Sequence, residues 1–567
     1  MKRLRLLLTI VVLLILVVAT LLWWNRPGRV DMAAYAPADS VVYLEFNSLT
    51  DLARAIEENN IWKALATVVG TDPKLLNAWS LGAARAGFAP APSVVLTRAQ
   101  FALVMVGLNS IEEGDTLRIR PEVALIVETH TSNWRIKSLA VTTIKQLAVH
   151  AYGQSSCLER VAPDVHYVEC SSTLSDRKLV GAINGSVVIV GNALRAVENS
   201  LEVRRGMRPS LLTDPDLQRL RQNMHSDSAL SFGYISSANV AKIFSFAAPL
   251  LMGQAPGDRE LEQVLATSAQ KILRAIAWTS RSQSSGIEDQ YLFSLEPEVR
   301  TRLEPAFKAT ETADDFWQFV PQAVETLSIY NQQNPSDAWA AINGVVSYKL
   351  DAVSAVMFAS LLRASLTVYG IEKANEVLPL LRSPIATMRA RADAASSVLV
   401  ARTDDTLQLQ QALRNQFGGQ IQILEDIKND PKSDSEFVAV LVPGHVAIGK
   451  TASVKIWLEE IRGQNDRSST ANDFKALQSR SGEAITTYSN DDARVNNFVS
   501  TFASFRGTAL SPKQINDLKT ATEHSYFSIS ETSLYSNGLE RKTRSSFGQF
   551  STLLSLVQAD SFSNSQP

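Results

Sequence analysis

The sequence predicts an α+β protein: an N-terminal transmembrane helix followed by two tandem, internally repeated domains of antiparallel sheet covered by helices. Three observations predict it. Leu6 to Trp24 (LLLTIVVLLILVVATLLWW) is an uncharged run of 19 residues, about the length that crosses a roughly 30 Å hydrocarbon core as a helix. Asn184 to Leu220 recurs in degraded form at Pro443 to Leu477, and from Val197 and Val454 onward 8 of 24 positions are identical at a constant spacing of 257 residues. Strand-like and helix-like hydrophobic periods also follow one order in both halves, as a duplicated unit requires.

Composition sets the outer bounds. With 567 residues, 45% hydrophobic and 20% charged, the chain has material for two cores. A formal net charge of −2 against 55 Lys and Arg provides no basic field, so nucleic acid is not an expected partner. Lys2, Arg3 and Arg5 precede the apolar run and Trp23 and Trp24 close it. The positive-inside rule and the aromatic belt then put residues 1–5 in the cytoplasm, the helix at 6–24, and the rest outside. Arg26 and Arg29 weaken this asymmetry without reversing it. A cleaved signal peptide would need a shorter apolar core with small residues just beyond it; the nearest such site, Ala34-Tyr35-Ala36, lies too far along. No cysteine lies near the run to carry a lipid.

Residues 25–35 (NRPGRVDMAAY) read as a tether broken by Pro27 and Gly28. The first repeat domain is expected at 36–305 and the second at 306–559, with a disordered polar tail at 560–567. In the first, Ser40 to Phe46 is an apolar strand, and Thr50-Asp51 opens a helix to about Val69. Thr326 to Tyr330 followed by Ser336-Asp337 repeats that order. Val123 to Thr129 leads to a helix around Ser132 to Ala151, and Ser397 to Arg402 leads to Asp404 to Phe417. Next come two hairpins. Lys178 to Ile183 and Ser186 to Val190 flank Asn184-Gly185, a primed-turn signal, whereas Glu436 to Val442 and His445 to Ile448 flank Pro443-Gly444, which suits a type II turn. Helices with Leu194, Val197 and Leu201, or Val454, Trp457, Leu458 and Ile461, follow and end at Gly206 and Gly463. After a short helix from Asp216 or Asp473 come a strand (Ala229 to Tyr234; Ala484 to Tyr488), helices to about Ile276 and Lys519, and two strands around Gly286 or Gly538. Val240 to Met252 and Val353 to Val368 are unusually apolar helices, read as core or as surfaces for a partner or lipid.

One motif carries recognisable chemistry. Gly444 to Thr451 (GHVAIGKT) fits the phosphate-binding loop pattern, with Gly444 and Gly449 as its glycines, Lys450 placed for phosphate and Thr451 for Mg²⁺. Val446-Ala447-Ile448 is stiff and strand-forming, however, and the counterpart Gly185 to Ala193 lacks both Lys and Thr. The six histidines never fall at zinc-ligand spacing, and no Gly-x-Ser-x-Gly elbow occurs. The acidic pairs Asp314-Asp315, Asp404-Asp405 and Asp491-Asp492 read as helix caps, and Arg204, Arg205 and Arg208 as compensation of a helix dipole. Cys157 and Cys170 are the only cysteines. Two readings stand for them, one disulfide closing a short loop in an oxidising compartment, or two unrelated buried thiols. No metal and no cofactor is expected.

Pro37-Ala38-Asp39 before a strand, Val187 to Asn192 (VVIVGN) before a helix, Leu212 to Leu217 (LTDPDL) and the strand Phe232-Gly233-Tyr234 together resemble a family of membrane-anchored bacterial extracytoplasmic proteins with no established activity. The similarity covers most of the first half and continues more faintly in the second, where Gly449-Lys450 replaces Gly191-Asn192. It implies compartment and architecture, with no catalytic residue to carry over. The expected function is a non-catalytic binding or scaffolding module of the bacterial cell envelope, single-pass in the inner membrane. Its partner would be an envelope protein or component. Two alternatives come from other classes: a nucleotide-binding enzyme using Gly444 to Thr451, and a carrier of lipid or apolar ligand using Val240 to Met252 or Val353 to Val368.

Overall fold

In the computed structural model the described residues run from 28 to 550, apart from 67–94, 244–258, 464–482, 492–510, 514–526 and shorter interruptions. The fold is mixed α+β, with antiparallel sheet and covering helices. The apolar run at 6–24 and the tail at 560–567 lie outside the described residues. Among the described residues no helix is long and apolar enough to cross a membrane.

The chain divides into two compact units. Unit 1 comprises 1–239, 277–284 and 561–567; unit 2 comprises 240–276 and 285–560. This is not the division at 305/306 that the repeats suggest. The strand β10 (Gly286–Leu295) belongs to unit 2 because it pairs with β19 (Gly538–Ser545) over eight positions, from Ile287↔Ser545 to Ser294↔Gly538.

Unit 1 contains β1 (Val42–Phe46), β2 (Gln100–Glu113), β3 (Thr116–Glu128), β4 (Ser155–Val161), β5 (His166–Ser172), β6 (Lys178–Asn184), β7 (Val187–Gly191) and β8 (Ser231–Ser236). The order across the sheet is β4-β5-β6-β7-β3-β2-β1-β8, antiparallel throughout. β9 (Leu273–Gln283) lies beside β8, where Leu230 N–H donates to Ser280 O (2.8 Å). It begins at Leu273, where sequence periodicity continues a helix to Ile276, because the helix Arg259–Ile272 stops first.

Among the described residues, helices α1 (Leu49–Glu58), α2 (Asn133–Tyr152), α3 (Leu194–Arg204) and α4 (Pro215–Asn223) accompany this sheet. α2 buries Ile136, Ala140, Ile144 and Ala148, a strict four-residue stripe, against Val168, Cys170, Ile183 and Val188. The approach is close. A Cβ on Gly181 would sit 2.4 Å from Ile144 Cδ1, so the strand under this helix needs glycine there. Asn192 explains the end of VVIVGN: its side chain accepts from Val123 N–H (2.9 Å) and donates to Pro121 O (2.7 Å), extending the β3–β7 ladder past Gly191.

Unit 2 contains β11 (Thr326–Tyr330), β12 (Leu381–Arg389), β13 (Val398–Thr403), β14 (Ile421–Leu424), β15 (Phe437–Val442), β16 (His445–Lys450), β17 (Ile485–Asn490), β18 (Phe527–Tyr535) and β19, with β10 added. Their order is β10-β19-β18-β17-β11-β12-β13-β16-β15-β14; only β14 and β15 run parallel. Its middle strands are apolar on both faces, the signature of a doubly covered sheet. Val398, Val400, Val438, Val440 and Ala447 face α5 (Thr451–Gly463) through Val454, Trp457, Leu458 and Ile461. Leu399, Ala401, Ala439, Val446 and Ile448 face the helix Thr406–Phe417 through Leu409 and Leu413.

The two hairpins differ as the dipeptides suggest, with one correction. Pro443-Gly444 is the two-residue loop between Val442 and His445, and Gly444 takes φ +76°, as a type II turn needs. In unit 1 the loop is Gly185-Ser186 between the paired Asn184 and Val187, and only Gly185 has positive φ (+63°). Asn184 stays in the strand because its side chain accepts from Arg204 Nε (2.6 Å) and donates to Asp164 O (2.9 Å).

Candidate functional site

The phosphate-loop residues are not brought together as a cradle. His445 to Lys450 form β16, flanked on one side by β15 and on the other by β13. A strand rises about 3.4 Å per residue, which puts Gly444 and Lys450 roughly 20 Å apart at opposite ends. Thr451 is also committed: its N–H donates to Glu436 O (3.0 Å) and its hydroxyl to Ser435 O. A phosphate loop instead bends its glycine-rich backbone around the anion with its amides unpaired. Gly449 serves packing, since a Cβ there would lie 3.4 Å from both Ser397 O and Val454 Cγ2. The GHVAIGKT pattern is therefore a turn glycine followed by a buried, doubly paired strand, and the nucleotide alternative loses its geometric basis.

The cysteines do meet. Cys157 and Cys170 stand opposite one another on β4 and β5 and are joined by a disulfide, across 13 positions of sequence. This bond fixes the pairing of β4, which ends the sheet order of unit 1. Edge strands are where register slips and foreign strands add. Glu159 of the same strand accepts from Lys145 Nζ of α2 (2.7 Å) and faces His166 Nε2 (2.8 Å). These partners hold its carboxyl below the usual carboxylate range.

The most built polar constellation in unit 1 surrounds residues 29–39, which sequence reads in part as a tether. From Arg29 onward it is docked. Met32 and Ala33 are buried in a single 3₁₀ turn (Met32–Tyr35) whose cap, Asp31, accepts from Ala33 N–H (3.0 Å). Val30 makes two bonds with the Gln100 side chain, N–H to Oε1 (2.8 Å) and O from Nε2 (3.0 Å). Beside it Arg221 of α4 donates to Asp31 Oδ2 (2.7 Å) and to Glu45 Oε2 (2.7 Å), while Tyr43 donates to the same Glu45 oxygen (2.6 Å). Side-chain exposure is only 11% for Arg221 and 9% for Glu45, so this is an ion cluster inside the protein.

Burial raises the Glu45 carboxyl even though Arg221 and Tyr43 pull it down. Burial, then the charge of Glu45, pushes the Tyr43 hydroxyl well up. Burial alone would lower the Arg221 guanidinium, but Glu45, Tyr43 and Asp31 overcome it and the net shift is upward. Such a cluster adds little stability over an apolar equivalent, yet losing one member leaves a buried charge uncompensated.

Further along, Tyr35 donates to the buried Glu128 (3.0 Å) under the Arg204 guanidinium, 5.3 Å from the ring centre. Ala38 N–H donates to Pro209 O (3.1 Å), Leu211 N–H to Ala36 O (2.8 Å), and Arg208 to Asp39 (2.6 Å). Arg205 makes a two-bond pair with Asp164 (2.8 and 2.9 Å). The arginines assigned from sequence to a helix dipole are thus partners of the N-terminal segment and of the β4–β5 turn. Sequence could not find this set, because Arg221 meets partners 190 and 176 positions away. The segment holds because five side chains, from β2, β3, α3, the turn after α3 and α4, each supply a matched polar contact to it.

Among the described residues no three His, Cys, Asp or Glu are grouped to hold a metal. His445 is buried against Phe319, ring centres 4.5 Å apart. Asp405 caps its helix through Gln408 N–H (2.9 Å), as expected for that acidic pair. No family model, no curated protein and no solved structure matches the chain. What the constellation does is hold residues 29–39 on unit 1.

Proposed function

We propose that the chain is a single-pass, N-terminally anchored protein of a bacterial cell envelope, whose two units act outside the inner membrane as a binding or scaffolding module. The observation that carries the reading is the Cys157–Cys170 disulfide downstream of a basic, then apolar, N-terminus. Disulfides persist in oxidising compartments, and the positive-inside rule puts everything after Trp24 on that side. The resemblance to anchored extracytoplasmic proteins agrees with it.

The module is a duplication in this reading. Six strands in unit 1, β8-β1-β2-β3-β7-β6, and six in unit 2, β17-β11-β12-β13-β16-β15, fall in the same order and the same place in sequence, whereas the next strand differs, β5 antiparallel to β6 and β14 parallel to β15. α3 and α5 follow equivalent hairpins, and the β10·β19 ladder sets Gln290 opposite Lys542, residues at the 252-residue spacing of Gly286 and Gly538. The carrier alternative rests on less: Val240 to Met252 falls mostly outside the described residues, while the helix Ala352–Thr367 exposes Val356.

Protease added to intact spheroplasts, with lysed cells as control, tests the proposal. Digestion from outside that leaves only the N-terminal anchor protected supports it; protection of the whole chain until lysis overturns the topology and, with it, the compartment.

A further inference from the structure

One end of unit 1 is defined by a continuous row of cross-strand partners: Val161, His166, Ile183, Val188, Val127, Phe101, Phe46 and Ser231, one from each of β4 to β8 and β1 to β3. The chain enters at this row, since Val30 is bonded to Gln100, the neighbour of Phe101. Arg29, exposed, donates to Asp227 O (3.2 Å) just before Ser231. Only Asn25, Arg26 and Pro27 separate Trp24 from Gly28. A chain extends at most about 3.6 Å per residue, so Gly28 lies within about 15 Å of Trp24.

The same end carries unusual side chains. Trp134, in the first turn of α2, is 75% exposed, and two positions on Ile136 packs in one cluster with Val127 and Val188 of the row. Val161, at the end of β4, is 69% exposed. Lys137 is exposed on α2. Three carboxylates here have partners, Asp31 with Arg221, Glu128 with Tyr35 and Asp164 with Arg205, while Asp227 is exposed. An exposed indole and an aliphatic side chain beside two exposed basic residues, Arg29 and Lys137, match the chemistry of the lipid headgroup zone, where amphipathic rings sit and cations meet phosphate.

We propose that this end of unit 1 rests on the outer surface of the bilayer, with Trp134 and Val161 in the interfacial zone and Arg29 and Lys137 facing lipid phosphates. The inference rests on the anchor reading and goes beyond it, because an anchored protein need not touch the membrane with its folded part. The clasp on residues 29–39 is then what holds this face down.

Photocrosslinking separates the two ideas. Benzoylphenylalanine is placed singly at Leu14, Trp134, Val161 or Leu174 in the full chain, reconstituted in vesicles of phosphatidylethanolamine and phosphatidylglycerol. Leu174 is the control, 80% exposed in the β5–β6 connection at the opposite end. Lipid adducts at 14, and at 134 and 161 severalfold above 174, support the proposal. Adducts at 14, with 134 and 161 no higher than 174, overturn it and leave the anchor standing. No adduct at 14 removes the anchor and the proposal together.

Discussion

Each unit places a short 3₁₀ segment just before its first central strand, and the two are held by opposite means. In unit 1 the turn Met32–Tyr35 and its flanks are gripped by Arg221, Gln100, Glu128, Arg204 and Arg208 through charge and hydrogen bonds. In unit 2 the turn Asp314–Phe319 buries Phe316, Trp317 and Phe319, and Trp457 of α5 donates to Phe319 O (3.0 Å) inside the core. Apolar burial is the stronger fastening per residue and is indifferent to direction. Polar fastening specifies register, since each donor fits one acceptor. The polar version stands where the chain enters unit 1 from the side of the proposed anchor.

The sharpest way to break the contrast is to cut each fastening. Trp457→Ala is expected to cost unit 2 about 4 kcal/mol, as large-to-small core changes do, with urea unfolding of unit 2 shifted and hydrogen exchange in residues 29–39 unchanged. Arg221→Ala should cost about 3 kcal/mol, because Glu45 is left charged and buried; adding Glu45→Gln should recover part of that loss, which a purely packing role for Arg221 would not allow. Reducing the disulfide, or replacing Cys157 and Cys170 by Ser, should cost about 3 kcal/mol by loop entropy and loosen β4 before the rest of unit 1. Tyr35→Phe removes one hydrogen bond, about 1 kcal/mol.

The smallest effect is a pH dependence. Burial lowers the pKa of His445 in unit 2, against the opposing pull of Pro443 O and Asp315 and with the help of Arg402. The folded state therefore binds its proton less readily than the unfolded chain, whose histidines titrate near pH 6.5. Stability from this residue is present above about pH 6.5 and is lost as pH falls below it. Urea midpoints of unit 2 measured from pH 7.5 to 5.5 should fall, and His445→Gln should flatten that slope; an unchanged slope would assign it elsewhere.

Strands with a strong period were legible in the sequence: β1, β6, β7, β13, β15 and β16 fall where apolar runs predict them, and β3 does so only in its second half, since it begins at Thr116. β4 was not, because SSCLERV has no buried face of its own and is held by a disulfide and by Glu159. The phosphate-loop pattern misled for a physical reason, since a turn glycine (Gly444), a strand glycine (Gly449) and a lysine at a strand end reproduce the motif without its loop. The clasp was illegible because its members are isolated Arg, Glu, Gln and Tyr residues, each unremarkable locally and joined only by the sheet order.

The central claim is that residues 29–39 are docked on unit 1 and do not form a tether. Hydrogen exchange of the full chain in nanodiscs tests it most directly. Amides of Ala33, Ala36 and Ala38, bonded to Asp31, Ala33 O and Pro209 O, should exchange as slowly as those of β1, and should speed up severalfold in Arg221→Ala while residues 314–321 stay protected. Exchange of 29–39 at open-chain rates in the unaltered protein would contradict the account, and the folded part would hang on a flexible tether instead.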